Sequence, residues 1–577
     1  MKNILEIKDL TVGFCENTGW HQVLNKISFD IGEGEIVGIV GESGSGKSMT
    51  ALTIMHLLAE NAVIKEGEIL FDGQDLLKCG DDRMRCVQGN DISMIFQEPM
   101  TSLNPVQKIG TQIGEALRLH TNLNNDEIQK RVIESMENVG LPKPAELAGK
   151  YPYQLSGGMR QRVMIAMASI CSPKLLIADE PTTALDVTVQ MQILKLLRRF
   201  HDETGTSILF ISHDLNVVRA LCDRVIVMYR GDIVETGDAV EVLRHPKHDY
   251  TKTLVAAIPK NTNVPVEKNP VVSVKNLNVY YNEGRHLFSA SKKKKHVIKN
   301  ISFDIYDGEI LGVVGESGCG KSTLGKTLTG LNRDYTGEIT MACKRPQMVF
   351  QDPFGSLNPA KKLGWIMEEP LKLSGIRDKK SRIAMVDQML CQIGLDESYK
   401  NRYAHELSGG QRQRVSIGLA LLAGTKFIVA DEPVSALDVT VQSQILDLIL
   451  DIHQKQNVTM MFISHDLNVV RGICHRVIVM YLGEIVEVAE VHEIYEHPRH
   501  PYTQLLLKAI LNGDGRVPAG TKNSGKTTEE VNNEGCAYYP RCPYHSDECL
   551  FHRPEMKNAG TDKNPHLVKC YHMLTVD

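Results

Sequence analysis

The chain lacks three things. No stretch of about 18 uncharged apolar residues occurs in its 577 residues, which excludes a membrane-spanning helix. The amino-terminal Met1-Lys-Asn-Ile-Leu-Glu-Ile-Lys-Asp9 has no apolar core of the kind that marks a signal peptide. Positive charge is not in excess: the formal net charge is -5, which argues against a dominant nucleic-acid footprint. The rest of the composition, 42% hydrophobic and 23% charged, is that of a soluble globular protein. The length allows several domains of about 150 residues each. Of 13 cysteines, nine are scattered singly and read as buried thiols of a reducing compartment.

What is present is a repeat. Gly41-Glu42-Ser43-Gly44-Ser45-Gly46-Lys47-Ser48 returns as Gly315-Glu316-Ser317-Gly318-Cys319-Gly320-Lys321-Ser322. Leu155-Ser156-Gly157-Gly158 returns as Leu407-Ser408-Gly409-Gly410. Asp179-Glu180-Pro181 is matched by Asp431-Glu432-Pro433, and Ser212-His213-Asp214 by Ser464-His465-Asp466. The offset is 274 between the loop lysines but 252 from the Leu-Ser-Gly-Gly words onward. The first half carries 20 extra residues between its loop and Gln97, around Cys79 to Asn90, expected as a surface excursion. A period near 250 is a duplicated domain, not a solenoid.

The expected organisation is therefore a first domain over 1–260, a linker over 261–270, a second domain over 271–511, a linker over 512–534 and a cysteine-rich end over 535–577. Glu35-Ile-Val-Gly-Ile-Val-Gly41, Lys174-Leu-Leu-Ile-Ala-Asp179 and Ser207-Ile-Leu-Phe-Ile-Ser212 are short apolar runs, as buried parallel strands should be. Mixed segments between them read as helices, giving an α/β fold in each half. The stretches 101–153 and 352–405 lack strand signals and are expected to be helical.

Each word has a chemistry. A Gly-x-x-x-x-Gly-Lys-Ser loop between strand and helix wraps phosphates in backbone N–H groups at the positive end of the helix dipole. Lys47 and Lys321 would reach the β- and γ-phosphates of ATP, and Ser48 and Ser322 would bind Mg²⁺. The same spelling at Gly520-Thr-Lys-Asn-Ser-Gly525-Lys526-Thr527 has no strand before it and reads as chance. Asp179 and Asp431 end apolar strands, where a carboxylate can hold Mg²⁺. Glu180 and Glu432 are placed to polarise the attacking water as general bases. A strand-end acidic turn explains an isolated Asp-Glu equally well, but not one with a Ser-His-Asp 33 residues downstream in both copies. His213 and His465 would then contact the γ-phosphate. Ser156-Gly157-Gly158 and Ser408-Gly409-Gly410 open basic helices and offer a second anion site. Head-to-tail pairing would cap each loop's γ-phosphate with the other half's helix start.

These words together resemble the nucleotide-binding domains of ABC transporters, over about residues 1–260 and 271–510. The resemblance implies that Gln97 and Gln351 are Q-loop residues at the Mg²⁺ site, that Asp186 and Asp438 belong to D-loops, and that Phe14 and Tyr281 stack on adenine. Ordinary strand packing is the plain alternative for those two rings. Phe96-Gln-Glu-Pro-Met-Thr-Ser-Leu-Asn-Pro105 and His245-Pro-Lys-His-Asp-Tyr-Thr251, with their counterparts from Phe350 and His497, are similar to ATPases of oligopeptide, dipeptide and nickel importers. The chain resembles the D-type and F-type subunits fused, as in glutathione and some microcin importers. That implies a peripheral ATPase at the cytoplasmic face of the bacterial membrane, with two permease subunits and an extracytoplasmic solute-binding protein as partners, and no nucleic acid. The alternative is a soluble twin ATPase acting on ribosomes or DNA; the linker of about ten residues and the acidic balance speak against it.

The last four cysteines are Cys536, Cys542, Cys549 and Cys570. Their spacing is not that of a zinc finger or a bacterial ferredoxin. Thiolates suit zinc or an iron–sulfur cluster, and the resemblance implies a [4Fe–4S] cluster. Zinc, with His545, His552 or His572 as further ligands, and bare thiols remain open.

Overall fold

The computed structural model describes residues 2–16, 19–183, 185–256, 267–282, 294–435, 437–511, 535–561 and 564–574. The expected linker over 512–534, with its Gly520–Thr527 spelling, lies outside these residues, as do 261–266, Ala184 and Ala436. The chain forms two compact units.

In the first unit the apolar runs are central strands. Ile36–Val40, Leu175–Asp179 and Ser207–Ile211 are each five residues long and buried at every position. A strand covered on both faces needs such a continuous apolar run. The sheet runs in the order Asp232–Asp238, Arg224–Tyr229, Ile36–Val40, Ser207–Ile211, Leu175–Asp179, Ile92–Ile95. All its pairings are parallel except the outermost, Asp232–Asp238 on Arg224–Tyr229. A separate antiparallel sheet is built on the long hairpin Asn3–Glu16 and Gly19–Gly32. The stretch 101–153 is helical, with Asn125–Asn138 its longest element. Asn124 caps that helix, accepting from the Glu127 N–H while the Glu127 side chain accepts from the Asn124 N–H.

The extra residues of the first half are not a plain surface excursion. They carry the helix Asp81–Val87, and Met84 and Val87 sit in the hydrophobic core with Ile92 and Leu175. Local composition is polar there, which hid a one-sided apolar stripe.

The second unit repeats the plan. Its sheet runs Gln347–Val349, Phe427–Asp431, Thr459–Ile463, Ile310–Val314, Arg476–Tyr481, Glu484–Glu490, then Leu567–Val568 and Lys557–Asn558. The last two strands come from the cysteine-rich end. Glu487 pairs with Val568 and Val488 with Leu567, so Glu484–Glu490 is buried over six of its seven residues. Among the described residues the first unit's Asp232–Asp238 stays an edge with no fully buried position. Buried Glu484 and Glu487 are held by the same end: Glu484 by Arg553 at 2.8 Å and Lys569 at 2.6 Å, Glu487 by His566 at 2.6 Å. Unpaired, such acids would be costly in this interior.

His475 marks another difference between the halves. Its Nδ1 accepts from the Ile310 N–H at 3.1 Å, where in the first unit Asp223 Oδ2 accepts from Ile36. Burial, reinforced by nearby His453, lowers the His475 pKa from 6.5 to about 4. A base held neutral in the fold contributes stability above its unfolded pKa and loses it as pH falls through the folded value. Acidification from pH 7 to 4 should therefore lower the melting temperature. His475→Asn, whose Oδ1 can still accept, should remove up to about 3 kcal/mol of that loss. Identical acid profiles for the two proteins would refute this role.

Candidate active site

Each phosphate-loop word leaves a buried strand and turns at once into a helix. In the first unit Ile36–Val40 leads into Gly41, and the helix Lys47–Ile54 opens after Gly46. A Cβ on Gly41 would lie 2.2 Å from the Met228 carbonyl oxygen, and Gly46 has a φ of +101°. Glycine alone meets both demands. Lys47 Nζ donates to the carbonyl oxygens of Gly41 and Glu42, each at 2.8 Å. Lys321 Nζ does the same to Gly315 at 2.7 Å and Glu316 at 3.1 Å. Both ammoniums thus lie inside the turn of their own loop.

Ser45 and Cys319 occupy equivalent buried positions, each 3% exposed. Among the described residues the Ser45 hydroxyl has no hydrogen-bond partner. A thiol there avoids stranding a hydroxyl, which costs about 1–3 kcal/mol. Burial also pushes the Cys319 thiol up, so the thiol sensitivity that an unpaired loop cysteine suggests is not expected.

The acidic pairs sit at the ends of Leu175–Asp179 and Phe427–Asp431. Ser48 Oγ donates to Asp179 Oδ1 at 3.1 Å, and Ser322 Oγ to Asp431 Oδ1 at 2.9 Å. Burial raises the Asp179 pKa from 3.8 to about 6, outweighing the Ser48 hydrogen bond, with the Glu180 charge adding to the rise. Asp431 moves the same way for the same reason. The Ser48 hydroxyl, the Asp179 carboxylate and the Gln97 amide oxygen are hard donors that fit Mg²⁺.

Glu180 and Glu432 behave oppositely. Burial would raise both, but His213 and His465, each with Nδ1 3.2 Å from the carboxylate, hold them below the usual range. The histidines are raised in turn, the glutamate's hydrogen bond overcoming burial. Gln97 Nε2 donates to Glu180 Oε2 at 3.0 Å, and Gln351 Nε2 to Glu432 Oε2 at 2.8 Å. Thr183 Oγ1 also donates to Glu180 Oε2, at 2.9 Å. Both glutamates take left-handed backbones, with φ of 45° and 47°. Such a conformation is costly for a side chain with a Cβ and persists where surroundings over-determine it.

Ser156 and Ser408 cap the helices Gly157–Ser169 and Gly409–Leu422, accepting from the N–H groups of Met159 and Gln411. The second cap is a full capping box, because Gln411 Oε1 accepts from the Ser408 N–H at 3.0 Å. Asp186 and Asp438 also cap helices, each accepting from an N–H at 3.0 Å, from Val189 and Val441. Phe14 is half-buried in Asn3–Glu16, and Tyr281 is 39% exposed in Pro270–Asn282.

Sequence reasoning missed two contacts. Thr183 is one; a hydroxyl three residues after each glutamate, Thr183 or Ser435, was its signal. Tyr250 and Tyr502 are the other, each hydroxyl oxygen accepting from the N–H of Glu42 or Glu316 at 2.9 Å. Both tyrosines lie in the repeated histidine–tyrosine words, so the repeat pointed to them without giving a reason.

The four terminal cysteines gather in one small lobe. Cys536 N–H donates to the Cys549 carbonyl oxygen at 2.8 Å. Burial raises the Cys570 thiol to about 12, and the neighbouring Cys536, Cys542 and Cys549 add to the rise. Among the described residues, however, no three His, Cys, Asp or Glu side chains are arranged to hold a metal ion. The thiols are close without forming a ligand set. Of the alternative zinc ligands, His572 Nε2 lies 2.7 Å from Ser546 Oγ and His545 packs on Tyr539.

A strand-to-helix phosphate loop, a buried acidic pair and a histidine on the second acid, all in duplicate, define an ATPase of the P-loop type. Residues 24–183 and 298–435 match the ABC transporter family, and residues 234–272 and 486–549 match the oligopeptide/dipeptide transporter C-terminal region. The chain belongs to the ABC transporter family. It is 41% identical to the glutathione import ATP-binding protein GsiA of Salmonella typhimurium, over 88% of this chain and 90% of that one. It is also 41% identical to the protein of that name from Escherichia coli K12, over 88% of this chain and 89% of that one. No described helix is long and apolar enough to cross a membrane.

Iodoacetamide at neutral pH should modify the exposed Cys15, Cys86 and Cys391 of the folded protein and spare Cys319. Mass spectrometry that finds Cys319 alkylated at a comparable rate would contradict the buried, protonated thiol.

Proposed function

We propose that both halves hydrolyse ATP and drive solute import through separate membrane subunits. The observation that carries the reading is the glutamate constellation. Glu180 Oε2 accepts from Gln97 and Thr183 and lies against His213, whereas its Oε1 takes no hydrogen bond among the described residues. One oxygen is thus fixed by the protein and the other is available to a water. Held ionised by His213, Glu180 orients and polarises that water; Glu432 with His465 and Gln351 does the same in the second half. His213 and His465 donate toward the γ-phosphate.

The loops Gly41–Ser48 and Gly315–Ser322 bind the phosphates, with Lys47 and Lys321 turning from loop carbonyls to phosphate oxygens. Ser48, Asp179 and Gln97, or Ser322, Asp431 and Gln351, would hold Mg²⁺, which would supply charge neutralisation at the phosphates. Ser156-Gly157-Gly158 and Ser408-Gly409-Gly410 present capped helix starts to anions. Phe14 and Tyr281 stack on adenine. Asp186 and Asp438 set the start of the helix that follows each acidic pair.

The relatives' names and the oligopeptide-type region support a peptide-like cargo, glutathione first. We place the chain peripherally at the cytoplasmic face of a bacterial membrane, with two permease subunits and an extracytoplasmic solute-binding protein. We assign Cys536, Cys542, Cys549 and Cys570 to a tetrathiolate group, [4Fe–4S] before zinc, on the strength of their gathering in one lobe. Their closure around such a group is tested by iron, sulfide and zinc analysis of anaerobically purified protein; absence of all three defeats the assignment.

Replacing Glu180 and Glu432 together by Gln should cut phosphate release by about 10²–10⁴-fold while leaving ATP binding intact. Equal rates would sink the assignment. Reconstituted with its permeases, the protein should be stimulated by binding protein loaded with glutathione. Stimulation by a loaded dipeptide but not by glutathione would redirect the cargo.

A further inference from the structure

The cysteine-rich lobe reaches the second phosphate loop through one arginine. Arg541 Nη1 donates to both carboxylate oxygens of Glu316, each at 2.9 Å. Glu316 is the second residue of the loop and is 19% exposed at its side chain. Tyr538, three residues before Arg541, is 3% exposed. Its ring meets Tyr481 edge-on at 5.2 Å and Tyr502 at 5.5 Å. Tyr502 in turn accepts from the Glu316 N–H at 2.9 Å. Glu316 is therefore gripped twice: at its backbone by Tyr502, which Tyr538 buttresses, and at its carboxylate by Arg541. Arg541 and the buttressing Tyr538 both come from the segment between Cys536 and Cys542.

Among the described residues the first half has only one of these supports. Tyr250 accepts from the Glu42 N–H at 2.9 Å, but the Glu42 carboxylate has no ion pair among the described residues. Tyr229 and Tyr250 stack there at 4.2 Å with rings 29° apart, whereas Tyr481 and Tyr502 tilt at 54° and Tyr538 fills the corner. The duplication is thus broken in the contacts of the loop glutamate.

We propose that Arg541 is a positioning residue for the second ATP site, through which the carboxyl-terminal lobe sets nucleotide affinity in that half alone. A carboxylate at this loop position opposes an incoming triphosphate by charge. Pairing it with a guanidinium offsets that repulsion and fixes the loop's turn. The proposal rests on Gly315–Ser322 being a phosphate loop. A pair this close to solvent supports an effect of roughly five-fold in affinity.

Titration of the full chain with trinitrophenyl-ATP separates the halves. Lys47→Ala should leave the second loop as the binding site, and Lys321→Ala the first. Arg541→Ala is expected to raise Kd about five-fold in the Lys47→Ala background and to leave it unchanged in the Lys321→Ala background. Arg541→Lys, which keeps the charge but not the fork, should fall between. Once Glu316→Gln is present, Arg541→Ala should have no further effect, a readout that loss of lobe structure would not give. Equal shifts in both backgrounds, or none in either, overturn the proposal. If Lys321→Ala removes no binding at all, the phosphate-loop reading itself fails, whatever Arg541 does.

Discussion

Two carboxylates buried side by side at the end of one strand repel each other and resist ionisation, and each half of this chain is organised around that conflict. Burial holds Asp179 near pH 6 and would lift Glu180 as well. The fold resolves the pair by unequal company. Asp179 receives a single neutral hydroxyl from Ser48 and keeps a raised pKa. Glu180 receives Gln97, Thr183 and His213, and stays ionised. Groups whose pKa values are pushed apart by their surroundings are assigned different work. The strand, the glycine-walled loop and the helix start exist to deliver those few side chains to one spot.

The two halves solve the same conflict with the same histidine and glutamine contacts, although Ser435 donates to the Glu432 carbonyl oxygen where Thr183 donates to the Glu180 carboxylate, and they are not equal. In the second unit the edge strand Glu484–Glu490 is covered, its two acids are paired, and the loop glutamate is clasped. In the first, among the described residues, Asp232–Asp238 remains an edge and Glu42 keeps only its tyrosine. All of the added contacts come from one short segment at the carboxyl end. A single peptide unit separates Arg541 from Cys542, so the thiol lobe and the nucleotide loop share a mechanical connection.

Much of this was legible in the residues because it is local. A five-residue apolar run followed by Gly-x-x-x-x-Gly-Lys-Ser specifies a strand, a turn and a helix start without reference to the rest of the chain. Ser156 and Ser408 announce helix starts by the same short-range logic. What was hidden depends on distant pairs. Arg541 and Glu316 lie 225 residues apart, and nothing in either neighbourhood names the other. Thr183 looks like part of a turn until Glu180 adopts its left-handed backbone. The helix Asp81–Val87 was obscured because only Met84 and Val87 face inward. The four cysteines show the converse: their clustering was visible, but their relative geometry was not.

We propose that the duplicated constellation makes two nucleotide sites in one chain. This is tested most directly by counting bound nucleotide with a non-hydrolysable ATP analogue and Mg²⁺ under saturating equilibrium dialysis. Two molecules per chain is the predicted result. A saturating value of one would mean that one of the two loops is not a nucleotide site, whichever half retained it.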